Sequence, residues 1–166
     1  MQNYKSLTIL TKNIALSFWQ VCFKQKISNL LFHHYNTKEL NVAKLIIVDE
    51  SKSETAQTAY AVSRAFLESN CEELDNLLHK QFTYTGDGYH FSKDENIAFM
   101  QDMRGAFSNF EMILDKTITK NIFTSIRFTS KVVNTGSFMG APANQKNLTV
   151  TGIFQRKFEN GEIVQE

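Results

Sequence analysis

Three side chains that can take part in proton transfer lie close together in the sequence, around a predicted turn. Tyr84 precedes the turn formed by Gly86, Asp87 and Gly88, and His90 follows it. A carboxylate and an imidazole at this spacing can act as an acid/base pair, and a tyrosine hydroxyl can orient a carbonyl oxygen. The same residue types are also typical of an ordinary surface turn, so both interpretations stay open at this point.

Other reactive residue types form no constellation that indicates a metal or a cofactor. Cys22 and Cys71 are the only cysteines and lie far apart, so neither a disulfide framework nor a thiolate metal site is predicted. His33, His34 and His79 have no partner at metal-ligand spacing. No glycine-rich phosphate loop or nucleophile elbow occurs. We therefore expect no metal and no cofactor, and two reduced thiols fit a cytoplasmic protein best.

The charge balance argues against nucleic acid and membrane partners. Eighteen basic and seventeen acidic residues leave a formal charge of +1, which creates no strong field. The apolar run Ile14–Phe23 contains polar residues and is too short for a membrane span. Fourteen phenylalanines within a 42% hydrophobic chain indicate instead a large apolar interior.

Glycine and proline are distributed unevenly along the chain. Residues 1–85 contain neither glycine nor proline, whereas all seven glycines and the single proline lie from Gly86 onward. The polar segment Asp49–Thr55 is typical of a linker. We therefore predict an N-terminal extension at 1–53, helical or poorly ordered, and one folded domain at 54–166.

The extension carries its own weaker signals. Apolar residues at helical spacing predict a helix over Leu7–Phe23, and a second is indicated over Ile27–Tyr35. The short apolar run Ile46–Val48 fits no single element. Because the domain has its own complete set of elements, we expect the extension to be dispensable for folding.

The domain begins with three predicted helices. Ala59, Val62 and Phe66 form the buried stripe of the first helix, which ends near Ser69. The other two helices are predicted from capping pairs, Asn70 with Glu73 and Ser92 with Glu95. The apolar face of the third helix is predicted to contain Phe99, Met100, Met103, Ala106 and Phe107.

After the third helix the hydrophobic period changes to two, which indicates strands. The alternating series are Phe110, Met112 and Leu114, and then Ile122, Thr124, Ile126, Phe128, Ser130 and Val132. A strand over 148–158, a hairpin at Asn160-Gly161 and a last strand that the chain leaves truncated at Glu166 complete the pattern. Helices followed by an antiparallel meander predict an α+β fold.

Seven short blocks in this order resemble one family. They are Ala65–Phe66, Glu73–Asp75, Phe82–Tyr84, Met103–Phe107, Thr135–Pro142, Val150–Ile153 and Phe158–Val164. Over residues 57–166 the chain resembles the SnoaL-like polyketide cyclase or ester cyclase branch of the nuclear transport factor 2-like superfamily. The resemblance implies a cone-shaped, curved antiparallel sheet that encloses a pocket together with three N-terminal helices.

Strand parity, combined with the family cavity, predicts which side chains face that pocket. They are Tyr84, Phe99, Met103, Phe107, Ile126, Phe128, Ser130, Val132, Asn134, Val150 and Phe154. Core packing alone would explain such aromatic stripes equally well. Arg156 shares this parity, but we expect it to reach solvent at the strand end.

The family's catalytic groups are replaced in this chain. Phe154 occupies the position of the family's aspartate and Asn134 that of a common histidine, and neither side chain can exchange a proton near neutral pH. One hypothesis is a cofactor-free cyclase or isomerase for a small, largely apolar carbonyl compound, using Tyr84, Asp87, His90 or Asn134. The alternative is a non-catalytic ligand-binding or dimerisation module.

The outer face of the sheet suggests a partner. Phe123 and Ile153 leave apolar side chains on the face opposite the pocket. Because family members commonly pair through this face, we expect a homodimer.

Overall fold

The computed structural model describes residues 43–166. The helices predicted over Leu7–Phe23 and Ile27–Tyr35 lie outside these residues. The described residues form three helices and one seven-stranded sheet.

The three predicted helices are present and pack against the sheet: α1 (Glu54–Glu68), α2 (Cys71–Leu77) and α3 (Lys93–Ala106). In α1 the N-cap Ser53 accepts a hydrogen bond from the backbone of Ala56, and Ser69 ends the helix in a left-handed conformation. Its predicted stripe is confirmed, since Ala59 and Val62 are fully buried.

Both predicted capping pairs are also confirmed. Asn70 Oδ1 accepts from the Glu73 backbone at the start of α2, and the Glu73 carboxylate accepts from Asn70 in return. Ser92 and Glu95 form a capping box at the start of α3. These local contacts fix where each helix begins.

The sheet is mixed, which corrects the expectation of a wholly antiparallel meander. Its strands are β1 (Lys44–Ile47), β2 (Leu78–Gly86), β3 (Tyr89–Ser92), β4 (Phe107–Lys120), β5 (Phe123–Asn134), β6 (Asn147–Glu159) and β7 (Glu162–Gln165). Their order is β1-β4-β5-β6-β7-β2-β3, with β1 parallel to β4 and β2 parallel to β7. Both parallel pairs join strands that are distant in sequence, so no hairpin signal announces them.

The unassigned run near Ile46 belongs to β1, at one edge of the sheet. Val48 continues the pairing through a backbone hydrogen bond to Leu114 of 3.0 Å. The Tyr60 hydroxyl on α1 donates to Thr117 Oγ1 of β4 at 2.8 Å and accepts from the Ser51 backbone at 3.0 Å. The described sheet therefore includes residues that precede position 53.

The predicted alternation on the central strands is confirmed. Phe110, Met112 and Leu114 of β4 are buried, and so are Ile126 and Val132 of β5. Ile122 departs from the series because it lies in the turn before β5 begins, and it is 47% exposed. The inward face of β4 and β5 thus forms one wall of the interior.

Candidate functional site

A cavity of about 430 Å³ lies between the inward face of the sheet and helices α1 and α3, and it opens to solvent beside Met139 and Val150, which are 58% and 50% exposed. Nine of the eleven predicted pocket residues line it: Tyr84, Phe99, Met103, Phe107, Phe128, Ser130, Val132, Val150 and Phe154. A volume of this size is typical of a site for a small organic molecule. A larger groove of about 740 Å³ beside β2 and β3 is more open and is lined mostly by polar side chains. We regard the smaller cavity, which is lined mostly by apolar side chains, as the site.

Aromatic rings in contact with one another form much of the cavity wall. Phe91 stacks on Tyr84 with ring centroids 5.6 Å apart, and Phe99 packs on Phe91 at 5.2 Å. Phe138, from the loop after β5, continues the series at 5.6 Å from Phe99 and 5.3 Å from Phe107. Rings from β3, α3 and this loop therefore meet at the cavity, although they are far apart in sequence.

Phe128 and Phe154 form a stacked pair on neighbouring strands β5 and β6. Their ring centroids are 4.2 Å apart and their planes differ by 9°. Gly152 makes room for the pair, because a Cβ atom at that position would lie 2.7 Å from the Phe128 ring. The residue at the family's aspartate position thus contributes an aromatic surface to the cavity.

The prediction that Arg156 reaches solvent was wrong. The residue is only 2% exposed. Its guanidinium pairs with the Glu166 carboxylate, donates to the Ala59 carbonyl at 2.7 Å, and lies 4.7 Å from the centre of the Phe154 ring. Arg156 is buried because of a tertiary contact: β7 places Glu166 next to β6, and the Glu166 carboxylate supplies the opposite charge that a buried guanidinium needs.

Tyr84 and Asp87 both line the cavity, as the catalytic hypothesis requires. Burial raises the pKa of the Tyr84 hydroxyl above its usual value, and the charges of Asp87 and Glu166 raise it further. Gly86 allows the Tyr84 ring to fold back over the strand, because a Cβ there would lie 2.5 Å from the hydroxyl oxygen. Tyr84 therefore keeps its proton at neutral pH and can donate a hydrogen bond.

The proposed pairing of Asp87 with His90 is not formed at the cavity. His90 Nδ1 lies 3.1 Å from Thr85 Oγ1 on the facing strand, and the His90 side chain lines the outer groove instead. Asp87 occupies the turn itself, with φ of 51°. Of the two residues, only Asp87 contributes to the cavity.

Asn134 and Ile126 do not line the cavity, although the parity of β5 was predicted correctly. Asn134 is buried and holds the following loop: its Nδ2 donates to the Gly136 carbonyl and its Oδ1 accepts from the Asn144 backbone, each at 2.9 Å. Ile126 is fully buried in the core. The family's histidine position is thus occupied here by an amide that stabilises the loop.

Sequence reasoning missed several residues that line the cavity. Asn96 precedes Phe99 and Met100 by three and four positions, so helical spacing alone could have identified it. Glu166 gave no such signal, because its place depends on how β7 pairs with β6. Met112, Phe91 and Phe138 likewise reach the cavity through tertiary packing.

Residues 43–166 contain neither a metal-binding cluster nor a membrane-spanning helix. No cluster of three or more histidine, cysteine, aspartate or glutamate side chains in residues 43–166 has the geometry to hold a metal ion. Among the same residues, no helix is long and apolar enough to cross a membrane.

The architecture defines the class of protein: an α+β domain with a curved sheet and three helices, in which the sheet and two of the helices line an apolar cavity. The SnoaL-like polyketide cyclase family matches residues 55–166, and the chain belongs to this family. No curated protein sequence matches the chain.

Solved structures share this fold at low sequence identity. A candidate SnoaL-like polyketide cyclase from Jannaschia sp. CCS1 superimposes with a TM-score of 0.64 at 12% identity, covering 70% of this chain and 86% of that one. AclR from Streptomyces galilaeus gives 0.62 at 14% identity, with coverages of 69% and 86%. IdmH from Streptomyces antibioticus, a candidate polyketide cyclase, gives 0.60 at 16% identity, with coverages of 68% and 88%. At these identities the likeness shows the fold alone.

Proposed function

We propose that this domain binds a small, largely apolar carbonyl compound in its internal cavity and transfers a proton on it without a cofactor, as an aldol cyclase or isomerase does. The observation that carries the proposal is the composition of the cavity wall. Aromatic and methionine side chains dominate it, and Tyr84, Asp87, Arg156 and Glu166 add a few polar groups.

The polar groups suggest how such a reaction would proceed. A Tyr84 hydroxyl that stays protonated can donate to the carbonyl oxygen and stabilise the enolate formed when the adjacent carbon loses a proton. Asp87 and Glu166 are the carboxylates that line the cavity and can accept that proton. Glu166 is already bound to Arg156, so we assign the accepting role to Asp87.

A second function, ligand binding without chemistry, is favoured by two particular residues. Phe154 replaces the family's aspartate and is committed to its stacking with Phe128. Asn134 is committed to the loop through both ends of its amide. If Tyr84 and Asp87 do not replace these groups, the domain keeps the cavity and has lost the reaction.

One experiment separates the two functions. The probe is 2-tetralone, a bicyclic ketone with an acidic benzylic C–H beside its carbonyl. Binding is followed through labelled methionine methyl groups, because Met100, Met103, Met112 and Met139 all line the cavity. Exchange of the benzylic proton for deuterium in D₂O, compared with buffer alone, reports proton transfer.

We expect binding together with exchange faster than in buffer, and at least about tenfold slower exchange in Tyr84→Phe and in Asp87→Asn, since a positioned acid or base contributes far more than this. Binding without accelerated exchange would establish the binding-only function. Unchanged methionine spectra at saturating probe would contradict both functions.

A further inference from the structure

Helix α3 presents one polar residue within its cavity-facing stripe. Asn96, Phe99, Met100 and Met103 all line the cavity, and their spacing of three, four and seven residues places them on one side of the helix. The other three side chains are apolar. An apolar residue at position 96 would complete the stripe, and asparagine also favours the helix less than leucine or methionine does.

The amide nitrogen of Asn96 is buried without a hydrogen-bond partner among residues 43–166. The residue is 2% exposed. A buried donor without an acceptor is unfavourable, because it has lost its hydrogen bond to bulk water and gained none from the protein. A ligand in the cavity is in a position to supply the acceptor.

We infer that Asn96 Nδ2 donates a hydrogen bond to an oxygen of the bound ligand, and that this contact selects oxygenated compounds over hydrocarbons of the same shape. The inference rests on the proposed function, which places a carbonyl compound in this cavity. It adds a recognition contact on α3, distinct from Tyr84 on β2. The preferred ligand is an aromatic or alicyclic molecule with a ketone or ester oxygen directed toward α3.

Thr124 provides a matched control within the same domain. It is 1% exposed, and its Oγ1 likewise has no hydrogen-bond partner among the described residues. Thr124 lies on β5 but does not line the cavity. A substitution there removes an equally buried polar group without removing a contact to the ligand.

The test compares two ligands of nearly the same shape, 2-acetylnaphthalene and 2-isopropenylnaphthalene, which differ in an oxygen for a methylene group. Each is titrated into the full chain carrying labelled methionine methyl groups, and the shifts of Met100 and Met103 give the dissociation constants. The proteins are the parent, Asn96→Leu, Asn96→Ala and the control Thr124→Val.

We expect the parent to bind the ketone about tenfold more tightly than the alkene, which is the effect of one hydrogen bond to a buried donor. Both Asn96 variants should lose most of this preference and keep only the part that the Tyr84 hydroxyl contributes, and Thr124→Val should keep the parent's full preference. Without ligand, Asn96→Leu should melt at or above the parent's temperature, because it removes an unpaired donor.

Three outcomes would overturn the inference. Equal binding of both ligands by the parent would refute the Asn96 contact and leave cavity binding intact. A preference that stays at the parent's value in Asn96→Leu and Asn96→Ala would assign the selection to another residue. A melting temperature well below the parent's in both variants would show that Asn96 serves the fold. Failure of both ligands to shift Met100 and Met103 would instead refute the proposed function.

Discussion

Phe128 and Phe154 stack face to face across β5 and β6, with ring centroids 4.2 Å apart, and the guanidinium of Arg156 lies over the same Phe154 ring. The position at which the family carries an aspartate is therefore enclosed between an aromatic ring and a cation. That cation is already paired with Glu166. This arrangement determines what a carboxylate would experience if it were restored.

We predict that Phe154→Asp lowers the free energy of unfolding at pH 8 by about 2 kcal/mol, because the new carboxylate is half-buried beside a cation that Glu166 already neutralises. Desolvation raises the pKa of such a carboxyl in the folded state above its unfolded value. Stability relative to the parent is then greatest at low pH and falls as pH rises toward the folded-state pKa. Thermal melts at pH 5 and pH 8 measure this.

The double variant Phe154→Asp with Glu166→Gln provides the control, since it restores one carboxylate for Arg156. We expect its stability at pH 8 to exceed that of Phe154→Asp. Equal stability of Phe154→Asp and the parent at both pH values would mean that the site is wet and polar, contrary to the packing described above.

Tyr84 should titrate later than an unperturbed tyrosine, because burial and then the charges of Asp87 and Glu166 raise its pKa. Tyrosine ring-carbon NMR shifts measured against pH report this, with Tyr84→Phe identifying the resonance. We expect Asp87→Asn to lower the Tyr84 pKa toward the ordinary value without fully reaching it, since burial is the larger cause. A Tyr84 resonance that titrates at the usual pH would contradict the assigned environment.

Self-association through the outer face of the sheet remains our expectation for this chain. Ile153, Ile118 and Phe123 are 70%, 61% and 43% exposed on that face. Their combined apolar area is the kind of surface that pairing buries. We predict a dimer by sedimentation at micromolar concentration, and a shift toward monomer in Ile153→Lys.

The matched control for the dimer is Val48→Lys. Val48 is 66% exposed, but it follows the edge strand β1 and does not belong to that apolar group. We expect this variant to sediment as the parent does. A parent protein that sediments as a monomer at micromolar concentration would contradict the predicted dimer.

The position of β1 changes how the extension should be tested. Deletion of residues 1–50 removes Lys44–Ile47 and the Val48 hydrogen bond to Leu114, so we expect a clear loss of thermal stability. Deletion of residues 1–42, with a new initiating methionine, leaves every described strand in place and should preserve a cooperative transition. Equal melting temperatures for the two deletions would show that β1 contributes little to the fold.

Local features of the domain could be predicted from the sequence alone. Hydrophobic period and capping residues such as Ser92 with Glu95 predicted the helices, and alternation along β5 predicted its buried face. The turn at Asn160-Gly161 was also predicted from the sequence, because asparagine and glycine adopt the left-handed conformation at the lowest cost. These signals depend on neighbours within a few positions, so a single sequence contains them.

Which of the inward residues line the cavity depends on contacts between segments that are distant in the chain. Asn134 and Ile126 share a face with Phe128 and Ser130, yet the first holds a loop and the second fills the core. Arg156 is buried because β7 brings Glu166 beside it, and β1 joins the sheet through a parallel pairing with the distant β4. Such contacts depend on strand order and register, which bring together segments that are far apart in the chain. Local periodicity does not predict them, because it reflects only residues a few positions apart.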